Sequence, residues 1–285
     1  MYLSKFRFLN TDQEENFLNA LAETNEASYY PFRVFKMGQI EEIDFDQITI
    51  FYGGNGTGKT TALNIIAEKL ALQRETIFNR TRFFEDYIRL CHFKTRKEIA
   101  RTSRIITSDD VFDFMLNIRS INDGIRVKRA ELADEYISSK NRGFKLESMA
   151  DYDELLKVNI SKRMTKSQFI RRFSQRDVKE QSNGESAFAY FTDKIREDAL
   201  YLLDEPENSL SPERQIELLQ FIEDSARFYG CQFIIATHSP FLLSLKGAKI
   251  YDFTSVPIST KKWTELKNVR TYYNFFKKYE NDFGT

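Results

Sequence analysis

Two cysteines and two histidines in 285 residues leave little material for a metal centre built on thiols or imidazoles. Cys91 and Cys231 stand far apart with no CxxC partner, so neither a zinc ribbon nor a disulfide framework is indicated. His92 and His238 are too few for a multi-histidine site. The chain also lacks a surplus of one charge: 42 Lys and Arg balance 42 Asp and Glu. No global field therefore draws it to nucleic acid or to an anionic membrane, and any such binding must come from local patches. No apolar run approaches the roughly 20 residues needed to span a bilayer. The N-terminus, MYLSKFRFLN, has no long apolar segment of the signal-peptide kind. These absences lead to the expectation of a cytoplasmic protein with no direct membrane insertion. What is plentiful is core material: 41% hydrophobic residues, with 26 Phe and 14 Tyr against a single Trp. The length suits one large domain, alone or with a subdomain.

Residues 1 to about 60 read as strands. KFRFL alternates, and FRVFKMGQIEEIDF carries a period of two through Val34, Ile40, Ile43 and Phe45. Ile48 to Tyr52, ITIFY, is a short apolar run of the buried-strand kind. KTTALNIIAEKLAL then predicts a helix with Ala62, Leu63, Ile66, Ala67 and Leu70 on one face. From about 75 to 180 the chain is charged, poor in Gly and Pro, and mostly helical in pattern. Within it, RIITSDDVFDFMLNIR (104–119) reads as a short strand followed by an Asp-capped helix. Buried-strand runs return in ALYLLDEPE (199–207), CQFIIATHSP (231–240) and AKIYDF (248–253). Between the first two lies the helix SPERQIELLQFIEDSARF (211–228), with Pro212 in its first turn. Strand and helix thus alternate at both ends of the chain, which points to an α/β fold with a parallel sheet. The expected divisions are a β part and phosphate-loop lobe at 1–75, an inserted helical subdomain at 76–180, a second core lobe at 181–253, and an aromatic, basic, amphipathic tail at 254–285.

Three features carry chemistry. GGNGTGKT, Gly53 to Thr60, matches G-x-x-x-x-G-K-[ST] between a buried strand and a helix, the context this motif requires. Gly53, Gly54, Gly56 and Gly58, with Asn55 and Thr57 between them, let backbone N–H groups wrap closely around phosphates. The helix N-terminus, opening with Lys59, Thr60 and Thr61, adds its partial positive charge. Lys59 is expected to reach the β- and γ-phosphates of ATP, and Thr60 to place its hydroxyl on Mg²⁺. The alternative, a chance Gly-rich turn, does not explain the strand before it and the helix after it. Second, LYLLDEPE ends an apolar strand in Asp204 and Glu205. A desolvated carboxylate needs a partner; Mg²⁺ suits Asp204, and Glu205 is placed to accept a proton from an attacking water. The bland alternative is a pair of surface carboxylates opening a turn before Pro206. Third, His238 follows another buried strand and so belongs to the carboxyl edge of the sheet, where ligands bind in such folds. It reads as a γ-phosphate sensor, against a histidine satisfied by backbone.

With EQSNGES (180–186) added, the order of motifs becomes recognisable: phosphate loop, S-x-G-E-S, DEPE, ATHSP. The chain resembles the ABC-type ATPase heads of the SMC and RecF group, most closely the small stand-alone bacterial ATPases of that group labelled AAA family. The resemblance covers about half the chain, 1–72 and 180–253. It implies a P-loop NTPase with an ABC-ATPase-type core: a mostly parallel sheet, an N-terminal antiparallel β part and an inserted helical subdomain. It further implies a head-to-tail homodimer with two ATP molecules at the interface. Ser182, Asn183, Gly184 and Glu185 of one subunit would then cap the γ-phosphate held by the other, with Asn183 standing where the family often has Gly. On its own, the stretch also reads as a helix start with Ser182 and Glu185 forming a capping box. ENSLSPE (207–213) occupies the D-loop position, with Ser211 where many relatives have Asp. TSDD (107–110) stands at the Q-loop position without a Gln, and Asp109 is its candidate for the metal's water. Tyr30, Phe32 and Arg33 are candidates for stacking on adenine.

SKRMTKSQFIRRFSQRDVK (161–179) carries seven basic residues against Asp177, with Phe169, Ile170 and Phe173 interleaved. Such a patch suits a nucleic-acid backbone, a partner protein, or a plain solvated face. The functional expectation is an ATP-hydrolysing switch whose state is read by nucleic acid or an effector protein, as in DNA repair or antiviral defence. The alternative is the ATPase subunit of a membrane transporter. DFD (44–46) and DYDE (151–154) are too weak to suggest a second metal site.

Overall fold

The computed structural model describes residues 1–20, 28–141, 163–173 and 183–284. The chain divides into two compact units, Met1–Phe112 with Asn183–Thr285, and Asp113–Ser182.

In the first unit, β3 (Ile48–Tyr52), β5 (Arg104–Thr107), β6 (Leu200–Asp204), β7 (Gln232–Thr237), β8 (Lys249–Asp252) and β9 (Ser259–Thr260) form one sheet in the order β5-β6-β7-β3-β8-β9. All neighbours are parallel except β8 and β9. Every residue of β3, β6 and β7 is buried, which is why these strands read as continuous apolar runs rather than alternating ones. A second, antiparallel sheet has β1 (Leu3–Arg7) between β2 (Glu42–Asp44) and β4 (His92–Thr95). The Gln232 side chain joins the two sheets. Its Oε1 accepts from the N–H groups of Tyr2 and Leu3 at 2.7 and 2.9 Å, and its Nε2 donates to the Leu3 and Asp46 carbonyls. The fold is therefore α/β with a mostly parallel sheet and an antiparallel part, as the sequence leads one to expect.

Helix α1 (Thr11–Ala20) was not legible as a helix in the strand-like reading of the N-terminal region. Its start signal is Asn10-Thr-Asp-Gln13: Asn10 Oδ1 accepts from the Gln13 N–H at 2.9 Å and Gln13 Oε1 from the Asn10 N–H at 3.1 Å, a reciprocal cap. Residues 29–39, expected to be extended, instead form turns, with Arg33 at φ 62° and Gly38 at φ 66°. Helix α2 (Lys59–Lys69) packs on β6 and β7. It is buried almost all round, Ile65 as well as the expected Leu63 and Ile66. Each such side chain contributes roughly 1.5–3 kcal/mol of burial, so α2 is held by packing rather than by its own propensity. Residues 76–112, assigned from sequence to a helical segment, belong to the first unit. They supply α3 (Phe84–Leu90), β4 and β5, and end in the first turn of α4 (Ser108–Asn141). β5 is the short strand expected at the start of 104–119, whereas β4 was not legible because it is exposed along its whole length.

In the second unit, α5 (Lys166–Phe173) packs on α4: Phe169 is fully buried against Leu132 and Tyr136, and the Tyr136 hydroxyl donates to the Met164 carbonyl at 3.0 Å. Of the basic stretch 161–179, only 163–173 is described. Arg163, Lys166 and Arg171 are exposed there, but Phe169 is a core residue and not part of an exposed aromatic surface. The remainder of that stretch, and DYDE, lie outside the described residues. The chain continues in the first unit with α6 (Asn183–Lys194), α7 (Pro212–Phe228) and α8 (Lys267–Lys278).

Candidate nucleotide site

The register of the parallel sheet brings the candidate residues together. Thr107 pairs with Asp204, Asp204 with Ala236, and Tyr52 with Thr237. The carboxyl ends of β5, β6, β7 and β3 are therefore level, and the residues that follow them emerge at one edge: Ser108 and Asp109, Glu205, His238, and the loop from Gly53. This is where ligands meet open parallel sheets.

The Gly53–Gly58 loop is closed on itself. Gly56 and Gly58 have φ of 78° and 92°, a region that side-chain-bearing residues enter only under strain. A Cβ on Gly58 would also fall 2.8 Å from the Phe35 ring. The Thr57 hydroxyl donates to the Gly54 carbonyl at 2.9 Å. Lys59 is buried and donates from Nζ to the same carbonyl at 3.0 Å, with the Glu205 carboxylate 3.8 Å away. A lysine folded over an exposed glycine loop in this way can exchange its carbonyl partner for a phosphate.

The Thr60 hydroxyl donates to Asp204 Oδ1 at 3.1 Å, which bridges α2 to the end of β6. Burial pushes the Asp204 carboxyl up to about 6; Thr60 opposes this, the Glu205 charge adds to it, Lys59 opposes and Glu207 adds. Among the described residues, no group of three or more His, Cys, Asp or Glu side chains gathers to hold a metal. One hydroxyl and one carboxylate are hard oxygen donors. They fit a cation that takes few protein ligands and fills its shell from phosphate and water, as Mg²⁺ does.

Glu205 has φ 48° and ψ 53°, left-handed backbone for a non-glycine residue. Strain of this kind, about 1–3 kcal/mol, persists only where surrounding contacts impose it. Here the Glu205 N–H is held by the Ala236 carbonyl at 2.9 Å, and its Oε2 accepts from Asn208 Nδ2 at 3.0 Å. The result aims Oε1 towards Lys59 and towards His238 Nδ1, 4.0 Å away.

Sequence reasoning missed Glu207. It is buried, and its Oε1 accepts from the Thr237 hydroxyl at 2.6 Å and from the His238 and Ser239 N–H groups at 2.9 and 3.1 Å. His238 Nδ1 lies 3.4 Å from the same oxygen. One carboxylate thus fixes the backbone of the loop that carries His238. The available signal was the second Glu of DEPE, a charge too close to a buried strand to be idle. Glu207→Ala leaves the Thr237 hydroxyl and the His238 N–H without their acceptor, the Ser239 N–H keeping the Thr237 oxygen at 3.0 Å, and is expected to lower stability by roughly 3 kcal/mol, with turnover falling more than nucleotide affinity. Urea unfolding together with steady-state kinetics checks this.

The other candidates divide. Asp109 is exposed and lines a cavity of about 700 Å³ together with Thr60, Asp204, Tyr30 and Arg74. Its neighbour Asp110, not singled out from sequence, is buried and accepts from the Thr76 and Thr107 N–H groups at 2.9 and 2.6 Å. Of the three adenine candidates, only Tyr30 reaches this cavity, its hydroxyl donating to Thr61 Oγ1 at 3.3 Å. Phe32 is excluded, being buried and stacked on Phe17 at 4.6 Å. Arg33 lines a separate groove beside Glu14 and Glu15. Asn183 and Gly184 open α6, and Glu185 pairs with Arg214 at 3.3 Å. Ser182 lies outside the described residues. Ser211 is exposed and immediately precedes α7.

A glycine loop between a buried parallel strand and a buried helix, faced by an acidic strand end and backed by a mostly parallel sheet, defines a P-loop ATPase. The chain belongs to the family described as "AAA domain, putative AbiEii toxin, Type IV TA system", matched over residues 85–244, a span that takes in Asp204, Glu205 and His238. No curated protein matches the chain. Among solved structures it is similar to the SMC head domain from Thermotoga maritima, with 14% identity, 92% of this chain and 99% of that chain covered, and a TM-score of 0.42. It is also similar to an Smc head domain from Pyrococcus furiosus with an extended coiled coil, bound to the C-terminal domain of ScpA (11%, 98% and 99%, 0.43). A dimeric ATP-binding cassette in a post-hydrolysis state with ADP and Pi is a third (15%, 81% and 96%, 0.37).

Proposed function

We propose that this ATPase is a Mg²⁺-dependent switch that dimerises head to tail around ATP and reopens on hydrolysis. The observation that carries the reading is the convergence of Lys59, Asp204, Glu205 and His238 on one sheet edge. The N–H groups of Gly53 to Thr61 bind the phosphates, and Lys59 leaves the Gly54 carbonyl for the β- and γ-phosphates. Thr60 and Asp204 would hold Mg²⁺, which when bound would neutralise charge on the phosphates. Glu205 orients the attacking water and takes its proton. His238, its backbone fixed by Glu207, donates to the γ-phosphate. The catalytic residues in this reading are Lys59, Glu205 and His238.

Ser182, Asn183, Gly184 and Glu185 serve the ATP bound by the partner subunit. The output is nucleic-acid transactions or antiviral defence, acting through an effector; the family description, which names an AbiEii toxin and a type IV TA system, is compatible with the second. Ser182→Arg is expected to leave nucleotide affinity of the single subunit intact while abolishing ATP-dependent dimerisation and lowering turnover at least tenfold. Sedimentation with ATP and Mg²⁺, beside a nucleotide-binding titration, tests it. A Ser182→Arg protein that hydrolyses ATP normally as a monomer contradicts the shared-site reading.

A further inference from the structure

We propose that the aromatic face of α8 is a docking surface for a partner protein that offers an apolar groove with an acidic rim. The helix is rooted in the core and leaves it. Leu266 and Val269 are buried, and the Asn268 N–H donates to the Tyr52 hydroxyl oxygen at 3.3 Å while its side-chain amide donates to the His238 carbonyl. The same apolar face then continues with nothing over it among the described residues. Tyr272, Phe275 and Phe276 are each half exposed or more, and Tyr279 is 39% exposed.

These four stand at i, i+3, i+4 and i+7, the anchor spacing by which an amphipathic helix lies in a groove. Tyr273 and Phe283 widen the face, and with Phe276, Lys277 and Glu280 they line an open cleft of about 510 Å³. A contiguous exposed patch of this kind marks an interaction site, and its Tyr and Phe content is that of an interface core.

Charge selects the occupant. Residues 262–283 carry Lys262, Lys267, Arg270, Lys277 and Lys278 against Glu265, Glu280 and Asp282, a net of +2, while Lys261 is taken up by Asp252 at 2.6 Å. Arg270 and Lys277 lie over the Tyr273 ring at 5.6 and 5.8 Å, and Lys278 over Tyr279 at 5.2 Å, so the cations rim the apolar face. Two copies of this surface repel each other, whereas an acidic rim pairs with it. The surface stands independently of the dimer reading, although its root is tied to the loop that carries His238.

Trp263, the single tryptophan of the chain, is partly exposed just before α8 and reports on the face. The full chain is titrated with calcium-loaded calmodulin, a defined acidic protein with an apolar groove. A saturable blue shift of Trp263 emission at micromolar concentration, reversed by calcium chelation, is expected. Phe275→Ser/Phe276→Ser and Lys277→Glu/Lys278→Glu are each expected to weaken binding at least tenfold while ATP hydrolysis stays at the wild-type rate. No shift at tens of micromolar, or an equal shift in the variants, overturns the proposal. So does a stronger response to phosphatidylserine vesicles or to oligo(dT) than to calmodulin, or a nucleotide-free dimer that the Phe275→Ser/Phe276→Ser protein loses.

Discussion

Glu205→Gln is expected to bind ATP as tightly as the parent chain and to hydrolyse it about 10²–10⁴-fold more slowly, the usual effect of removing a general base. The amide keeps the length and shape of the side chain, and its oxygen can still accept from Asn208. It cannot accept a proton from water. The left-handed backbone at Glu205 does not depend on the carboxylate, because the Ala236 carbonyl holds its N–H; the fold should therefore be unchanged by circular dichroism and unfolding midpoint. The ion pair with Lys59, at 3.8 Å, is lost. That change favours movement of the lysine to phosphate, so affinity is not expected to fall. Single-turnover hydrolysis beside equilibrium nucleotide binding separates the two quantities. A Glu205→Gln protein that turns over at the parental rate removes Glu205 from the chemistry.

The second large effect runs in opposite directions for stability and for activity. Asp204 is almost wholly buried, and its carboxyl is pushed up to about 6, chiefly by burial. In the unfolded chain it titrates near 3.9. A carboxyl whose folded pKa is raised is neutral in both states below pH 4. As pH rises, the unfolded state ionises first, so the metal-free fold loses stability between pH 4 and 6 and bears the full penalty above 6. Two pKa units correspond to roughly 3 kcal/mol. Asp204→Asn removes that penalty while leaving an oxygen for the Thr60 hydroxyl. The metal-free variant is therefore expected to exceed the parent in stability at pH 8 by up to about 3 kcal/mol, with the gap closing towards pH 4. Its Mg²⁺-dependent hydrolysis should be lost. Thermal unfolding across pH in EDTA, with activity assays in parallel, checks both halves. A gap that widens as the pH falls contradicts the assignment.

The parts of this molecule that were legible in the sequence share a physical origin. β3, β6 and β7 are buried on both faces, so each had to be a continuous apolar run. The phosphate loop had to be glycine where φ is positive, at Gly56 and Gly58. Asp204 and Glu205 were conspicuous because charge is costly beside such a strand. What escaped was determined by contacts rather than by pattern. α1 begins with a reciprocal Asn10–Gln13 cap that a strand-like reading of the surrounding aromatics overlooked. β4 is a fully exposed strand, and exposure erases alternation. Glu207 acts by accepting backbone N–H groups from the His238 loop, and Asp110, besides its local partner Thr107, accepts from Thr76; no local spacing reveals the distant partners. Phe32 looked available to a base until its stacking on Phe17 was seen. The tail was readable as an aromatic, basic helix, but not its root: Asn268 meets Tyr52 and the His238 carbonyl across 216 and 30 positions.

The most direct test of the central claim is the mass of the Glu205→Gln protein in solution, measured with and without ATP and Mg²⁺. A switch that closes around ATP and reopens on hydrolysis predicts a monomer without nucleotide and a stable dimer with ATP and Mg²⁺, a dimer that Ser182→Arg added to the same chain abolishes. A Glu205→Gln protein that binds ATP and remains a monomer contradicts the account.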